Sequence, residues 1–120
     1  MRIHANGDMK SLSSEHVHLI ANRARALGDP TRVRILSVLE RGEQPVGQIA
    51  AAVDTQQSTA SKHLQVLFHA GLVQRRRDAS EVLYSLTSAE LPRVCRYLAA
   101  RRLERPPTRR THAPVWKVHR

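Results

Sequence analysis

The chain has 120 residues, enough for one domain around one modest core, and carries 20 Lys and Arg against 10 Asp and Glu, a net +10 with histidine neutral. Such a surplus favours polyanionic partners, nucleic acid before acidic membrane, and no apolar run approaches the ~20 residues that cross a bilayer. One cysteine excludes an intrachain disulfide framework and suits a reducing cytoplasm, and four aromatics (one Phe, one Trp, two Tyr) are too few for a single-strand binder built on stacking platforms.

Residues 1–12 are polar and unpatterned, and read as a flexible N-terminal arm without the apolar stretch of a secretion signal. From Ser13, the apolar positions Val17, Ile20, Ala21, Ala24 and Leu27 recur at helical spacing, with Gly28 as the stop. In "GDPTRVRIL", Asp29 can cap a second helix, Pro30 fits its first turn, and Val33, Ile35 and Leu36 begin an apolar face that ends at Gly42. "PVGQIAAAV" gives a short third helix with Val46, Ile49, Ala50 and Val53 on one stripe. The polar "DTQQ" breaks it, and a fourth helix starts near Gln57. Two short helices joined by a few polar residues form a helix-turn-helix.

After Gly71, the β-prone runs "LVQRRR" and "VLYSL" flank "DASE" and predict a hairpin. A last helix from about Leu91 carries Val94, Cys95 and Leu98 on its stripe, Pro92 being tolerable only in the first turn. Residues 105–120, "RPPTRRTHAPVWKVHR", are basic, Pro-rich and aperiodic, and read as a disordered tail adding non-specific phosphate attraction. Residues 13–104 are therefore expected to form one domain, mainly α with a two-stranded β-hairpin, in the order α-α-α-α-β-β-α: a winged helix-turn-helix.

On the fourth helix, at ~100° per residue, Ala60, Leu64, Leu67 and Phe68 share one side, and Ser58, Lys62, Gln65 and His69 line the other, flanked by Thr59 and Ser61. The first side can pack on neighbouring helices. The second offers hydroxyls, amides and an amine of a size suited to base edges in a major groove.

"LGDPTRVRIL", "STASKHLQVLFHAGLV" and "RRRDASEVLYSL", in that register, resemble the ArsR/SmtB family of bacterial winged-helix transcriptional regulators over about residues 18–100. The resemblance implies a homodimer paired through its first and last helices on a palindromic operator in double-stranded DNA. It also implies repression relieved by a metal ion or another small inducer. By position it places Gln57, Ser58, Thr59, Ser61, Lys62 and His63 at the start of a recognition helix and Arg75 to Ser80 in the wing. Ser58, Ser61 and Lys62 are the leading base-edge candidates, and Arg75 and Arg77 are phosphate or minor-groove candidates, since strand alternation turns Arg76 to the opposite face. His63 lies at the edge of the apolar side, where packing competes with base reading. The sequence departs from the family pattern at Thr55 and Gln56, where an apolar residue and a serine are usual, and at Ala79 and Ser80, where a glycine and an arginine are usual.

A Cys-x-Cys metal pair of some relatives maps to Pro45 and Gly47, which are not ligands, and the histidines that others carry on the last helix are missing. Other candidate ligands are His16 and His18, completed by Glu15, Glu90 or Cys95, a nitrogen/oxygen set suited to Ni²⁺ or Zn²⁺ as effector. Cys95 has two readings, a small packing residue or an intermolecular redox switch. No paired carboxylates, phosphate-cradling glycine loop or activated serine points to an enzyme. An architectural DNA protein without sequence preference is the competing class, distinguished by a specificity ratio near one.

Overall fold

The computed structural model describes residues 11–103, so the expected arm up to residue 10 and the tail 105–120 lie outside the described residues. Five helices and a small antiparallel sheet follow in the order α1 (Ser14–Leu27), α2 (Pro30–Leu39), β1 (Gln44–Pro45), α3 (Val46–Ala52), α4 (Gln57–His69), β2 (Val73–Asp78), β3 (Glu81–Leu86) and α5 (Leu91–Leu103). The winged helix expected from the sequence is present, with one addition. The two-residue β1 pairs with β3 through Gln44 opposite Tyr84 and Pro45 opposite Leu83, which widens the hairpin to a sheet of order β1-β3-β2.

The helix boundaries follow from local chemistry. The Ser13 side chain accepts the His16 amide at 3.1 Å, and the Asp29 carboxylate accepts the Arg32 amide at 3.1 Å, each supplying an acceptor for an otherwise orphaned first-turn donor. Both helices of the helix-turn-helix end the same way. Thr55 N–H donates to Ala50 O and Asp54 N–H to Ala51 O; Leu72 N–H donates to Leu67 O and Gly71 N–H to Phe68 O. Each pair closes a helix through one left-handed residue, Asp54 at φ 57° and Gly71 at φ 80°. Glycine adopts that conformation without cost, and aspartate tolerates it better than most residues.

The core lies where α2, α3, α4 and the sheet meet. Ile35, Ile49, Leu64 and Leu67 are wholly buried, with Leu36, Leu39, Val73 and Tyr84 around them. Burying such a side chain contributes about 1.5–3 kcal/mol, so α4 is held firmly by its apolar side. By contrast, α1 buries only Ala26.

The wing turns at Ala79 and Ser80, between the paired Asp78 and Glu81. Ala79 stands at φ 57°, a left-handed conformation in which its Cβ is strained. Ala79→Gly is therefore expected to stabilise the fold by about 0.5–1 kcal/mol, read as a rise of several degrees in Tm. A fall in Tm would show that the turn holds Ala79 without strain.

Candidate nucleic-acid interface

The site is built around α4. Ala60, Leu64 and Leu67 are buried against the core, whereas Gln57, Ser58, Thr59, Lys62, Gln65 and His69 are exposed and Ser61 is half-buried. The helix thus presents Ser58, Lys62, Gln65 and His69 in one outward row, the arrangement its periodicity implies. Gln56 stands at the N-cap without a side-chain capping bond, so the first amides of α4 are not claimed from that side. Here the departure from the usual serine has a structural effect: the positive end of the helix is left without its own acceptor.

Two of the residues placed on the recognition helix turn toward neighbouring elements. His63 is half-buried against the start of α2, its Nδ1 lying 3.3 Å from Arg32 Nη1 and 3.9 Å from Asp29 Oδ2. Asp29 is itself held below the usual carboxylate range, chiefly by the hydrogen bond from the Arg32 amide, with the Arg32 guanidinium charge adding to it. The carboxylate thus caps α2 beside the base of α4, where the Arg32 guanidinium reaches His63. Gln57 approaches α3, its Oε1 only 3.5 Å from where a Cβ would stand on Gly47.

The wing arginines separate into three environments. Arg75 lays its guanidinium carbon 3.9 Å from the centre of the Phe68 ring, a cation–π contact that ties β2 to α4. Arg76, on the opposite face as alternation requires, forms a two-pronged pair with Glu43, Nε–Oε2 and Nη2–Oε1 both 2.8 Å. That pair holds the Glu43 carboxyl below its ordinary range, because the guanidinium hydrogen bonds stabilise its charged form. Arg77 is exposed and has no ion-pair partner among the described residues. Arg77 is therefore the wing cation most available to a phosphate, and Arg75 offers its outer face. The Arg75–Phe68 and Arg76–Glu43 contacts were not legible in the sequence: the first depends on how the chain turns between α4 and β2, and the second joins residues 33 positions apart.

His16 accepts or donates a bond with Ser13 Oγ at 2.9 Å through Nδ1, and His18 is exposed a further two positions along α1. Residues two apart diverge by about 200° on a helix, and among the described residues no three His, Cys, Asp or Glu side chains gather into a metal-sized group. Among the described residues His16 and His18 are thus not gathered with a third ligand. Cys95 is half-buried between α2 and α5, and burial pushes its thiol pKa up, which disfavours the nucleophilic thiolate.

Comparison with known proteins agrees with this architecture. The family model described as "Bacterial regulatory protein, arsR family" matches residues 29–75, from the cap of α2 into the wing. The biofilm growth-associated repressor of Agrobacterium fabrum is 35% identical over 81 residues, covering 68% of this chain and 69% of that protein. A probable mercury resistance operon repressor of Streptomyces lividans is 35% identical over 88 residues, 71% of this chain and 70% of its own. Among solved structures, the homodimeric winged helix-turn-helix DNA-binding domain Mb0332 of Mycobacterium bovis, described as a possible ArsR-family regulator, superposes with a TM-score of 0.70. It is 30% identical, covering 85% of this chain and all of that one. With its outward polar row on α4, basic wing and these relatives, the chain belongs to the ArsR family of bacterial winged-helix DNA-binding transcriptional regulators.

Proposed function

We propose that the protein is a cytoplasmic transcriptional repressor that docks as a symmetric dimer on a palindromic promoter operator and reads it with α4. The observation that carries this reading is the outward row Ser58, Lys62, Gln65 and His69 on a helix whose opposite side buries Ala60, Leu64 and Leu67. Ser58, Ser61 and Lys62 face the base edges, with Thr59 beside them and Gln57 turned toward α3; Arg77 and the outer face of Arg75 hold the backbone.

Dimerisation is supported by what one copy leaves uncovered. Val17 and Ile20 on α1 are half exposed, as are Val94, Tyr97 and Leu98 on α5, and a groove of about 520 Å³ runs between the two helices. Apolar side chains at helical spacing on two adjacent helices form a face that a second copy covers by symmetry. Pairing there sets the distance between two α4 helices, which must match one helical turn of DNA. An effector that changes the angle between copies would alter that distance. His16 and His18 would take part in Ni²⁺ or Zn²⁺ sensing through a site completed by Glu90, just before α5, or Cys95 of α5 from the second copy.

Selection from a random duplex pool tests the reading. Enrichment of an imperfect palindrome, with half-site centres about 10 bp apart and an affinity at least ~10³ above random duplex at fixed salt, is expected. A ratio near one would instead identify an architectural DNA protein and overturn the proposal.

A further inference from the structure

A second basic surface lies beside the reading row, on the flank of α4 that faces α1. It is a cleft of about 590 Å³ lined by Asn22, Arg25, Arg32, Lys62, Gln65 and His69, with no carboxylate in its wall. Its cations differ in what already occupies them. Arg32 is committed, donating through Nε to Ala26 O at 2.6 Å and through Nη2 to Arg25 O at 3.2 Å. His69 donates its Nδ1–H to Gln65 O at 2.8 Å, so its Nε2 can donate to an anion only in the imidazolium form. Arg25 is exposed, and its only side-chain contact among the described residues is a long 3.4 Å bond to Asn22 Oδ1. Among the described residues its guanidinium charge has no acid opposite it.

The position of the cleft around the helix suggests what it takes. A helix seated in a major groove has one phosphate backbone along each flank. The first helix of a helix-turn-helix crosses one of them. On α4, Gln57 and Ser61 lie toward that first helix, α3, about 60–100° round from Ser58, whereas Val66 lies about 80° the other way. Val66 is a wall of the α1–α4 cleft. The cleft therefore stands over the strand that α3 does not reach. Its depth is kept by Arg23, whose Nε donates to Ala70 O at 3.0 Å and ties α1 to the C-terminal end of α4.

Resting on the proposed function, we infer that this cleft seats a backbone phosphate flanking the bases read by α4, with Arg25 of α1 as its principal ligand and Asn22 and His69 beside it. The dimerisation helix thereby becomes part of the DNA contact, and each half-site is gripped on both strands. A guanidinium presents paired N–H donors that match phosphate oxygens, which a lysine cannot reproduce in geometry but does reproduce in charge.

The test is the salt dependence of duplex binding by the full-length dimer. Arg25→Ala is expected to lower the slope of log K against log salt by about two per dimer, one phosphate per copy, and to weaken selected and random duplex by the same factor. Arg25→Lys is expected to restore the slope. Arg25→Ala with the wild-type slope, in a dimer of unchanged circular dichroism, would overturn the inference while wild-type DNA binding stands. Wild-type protein that binds no duplex would instead remove the parent reading. Inorganic phosphate at matched ionic strength distinguishes the source of the anion. A rise in Tm of the wild type but not of Arg25→Ala, with equal DNA slopes, would assign the cleft to a free anion and also overturn the backbone contact.

Discussion

Ile20→Asp is expected to yield a folded monomer whose affinity for the selected palindrome falls by two orders of magnitude or more. Ile20 is half exposed on α1 in a single copy, so the carboxylate can stay hydrated there and the core of Ile35, Ile49, Leu64 and Leu67 is untouched. In the dimer the same carboxylate would be pressed against α1 and α5 of the second copy, with an unpaired charge costing several kcal/mol to desolvate. Each ~1.4 kcal/mol is tenfold in the association constant, and a single subunit engages only one half-site. Light scattering and circular dichroism together check the result. Leu98→Asp, on the facing stripe of α5, is expected to behave alike and guards against a local folding defect at Ile20. Dimers persisting in both variants would place the pairing surface elsewhere.

Much of this fold was legible because its signals are local. Ser13, Asp29 and Gly71 mark helix ends by chemistry that operates within a few residues, and the apolar spacing of α4 already separates its buried and outward sides. The half exposure of Val17, Ile20, Val94 and Leu98 was also implicit: their spacing reads as a packing stripe, and the structure shows that much of that stripe lies open in one copy. Strand β1 was not legible. Two residues, one of them a proline, carry no alternation, and the strand exists only because the edge of β3 offers partners. The left-handed Asp54 was hidden for a similar reason, since "DTQQ" marks a break without specifying how α3 closes.

Within the site, the outward row of α4 followed from periodicity, but the division of labour among the cations did not. Alternation separates Arg76 from Arg75 and Arg77, but it names no partner for any of the three. Only the fold brings Phe68 under the first and Glu43 beside the second. His63 similarly acquires Asp29 and Arg32 as neighbours from 31 residues or more away along the chain. Encounters at such separation depend on packing, and no window of sequence contains both members.

The central physical claim is that an exposed amine and hydroxyls on a firmly packed helix meet the edges of base pairs. Lys62 tests it most sharply. It is exposed at the middle of the reading row and has no ion-pair partner among the described residues, so its removal leaves no buried group unsatisfied and the fold should be unchanged. A good contact to a base edge is worth about 1–3 kcal/mol of discrimination, whereas a phosphate contact weakens all sequences together. The decisive measurement is the affinity of Lys62→Ala for the selected palindrome and for random duplex, at one salt concentration, relative to the wild type. With two copies of Lys62 per operator, a loss of about a hundredfold on the palindrome and only a few-fold on random DNA is expected. Equal losses on both, or none on either, would contradict base reading by this helix.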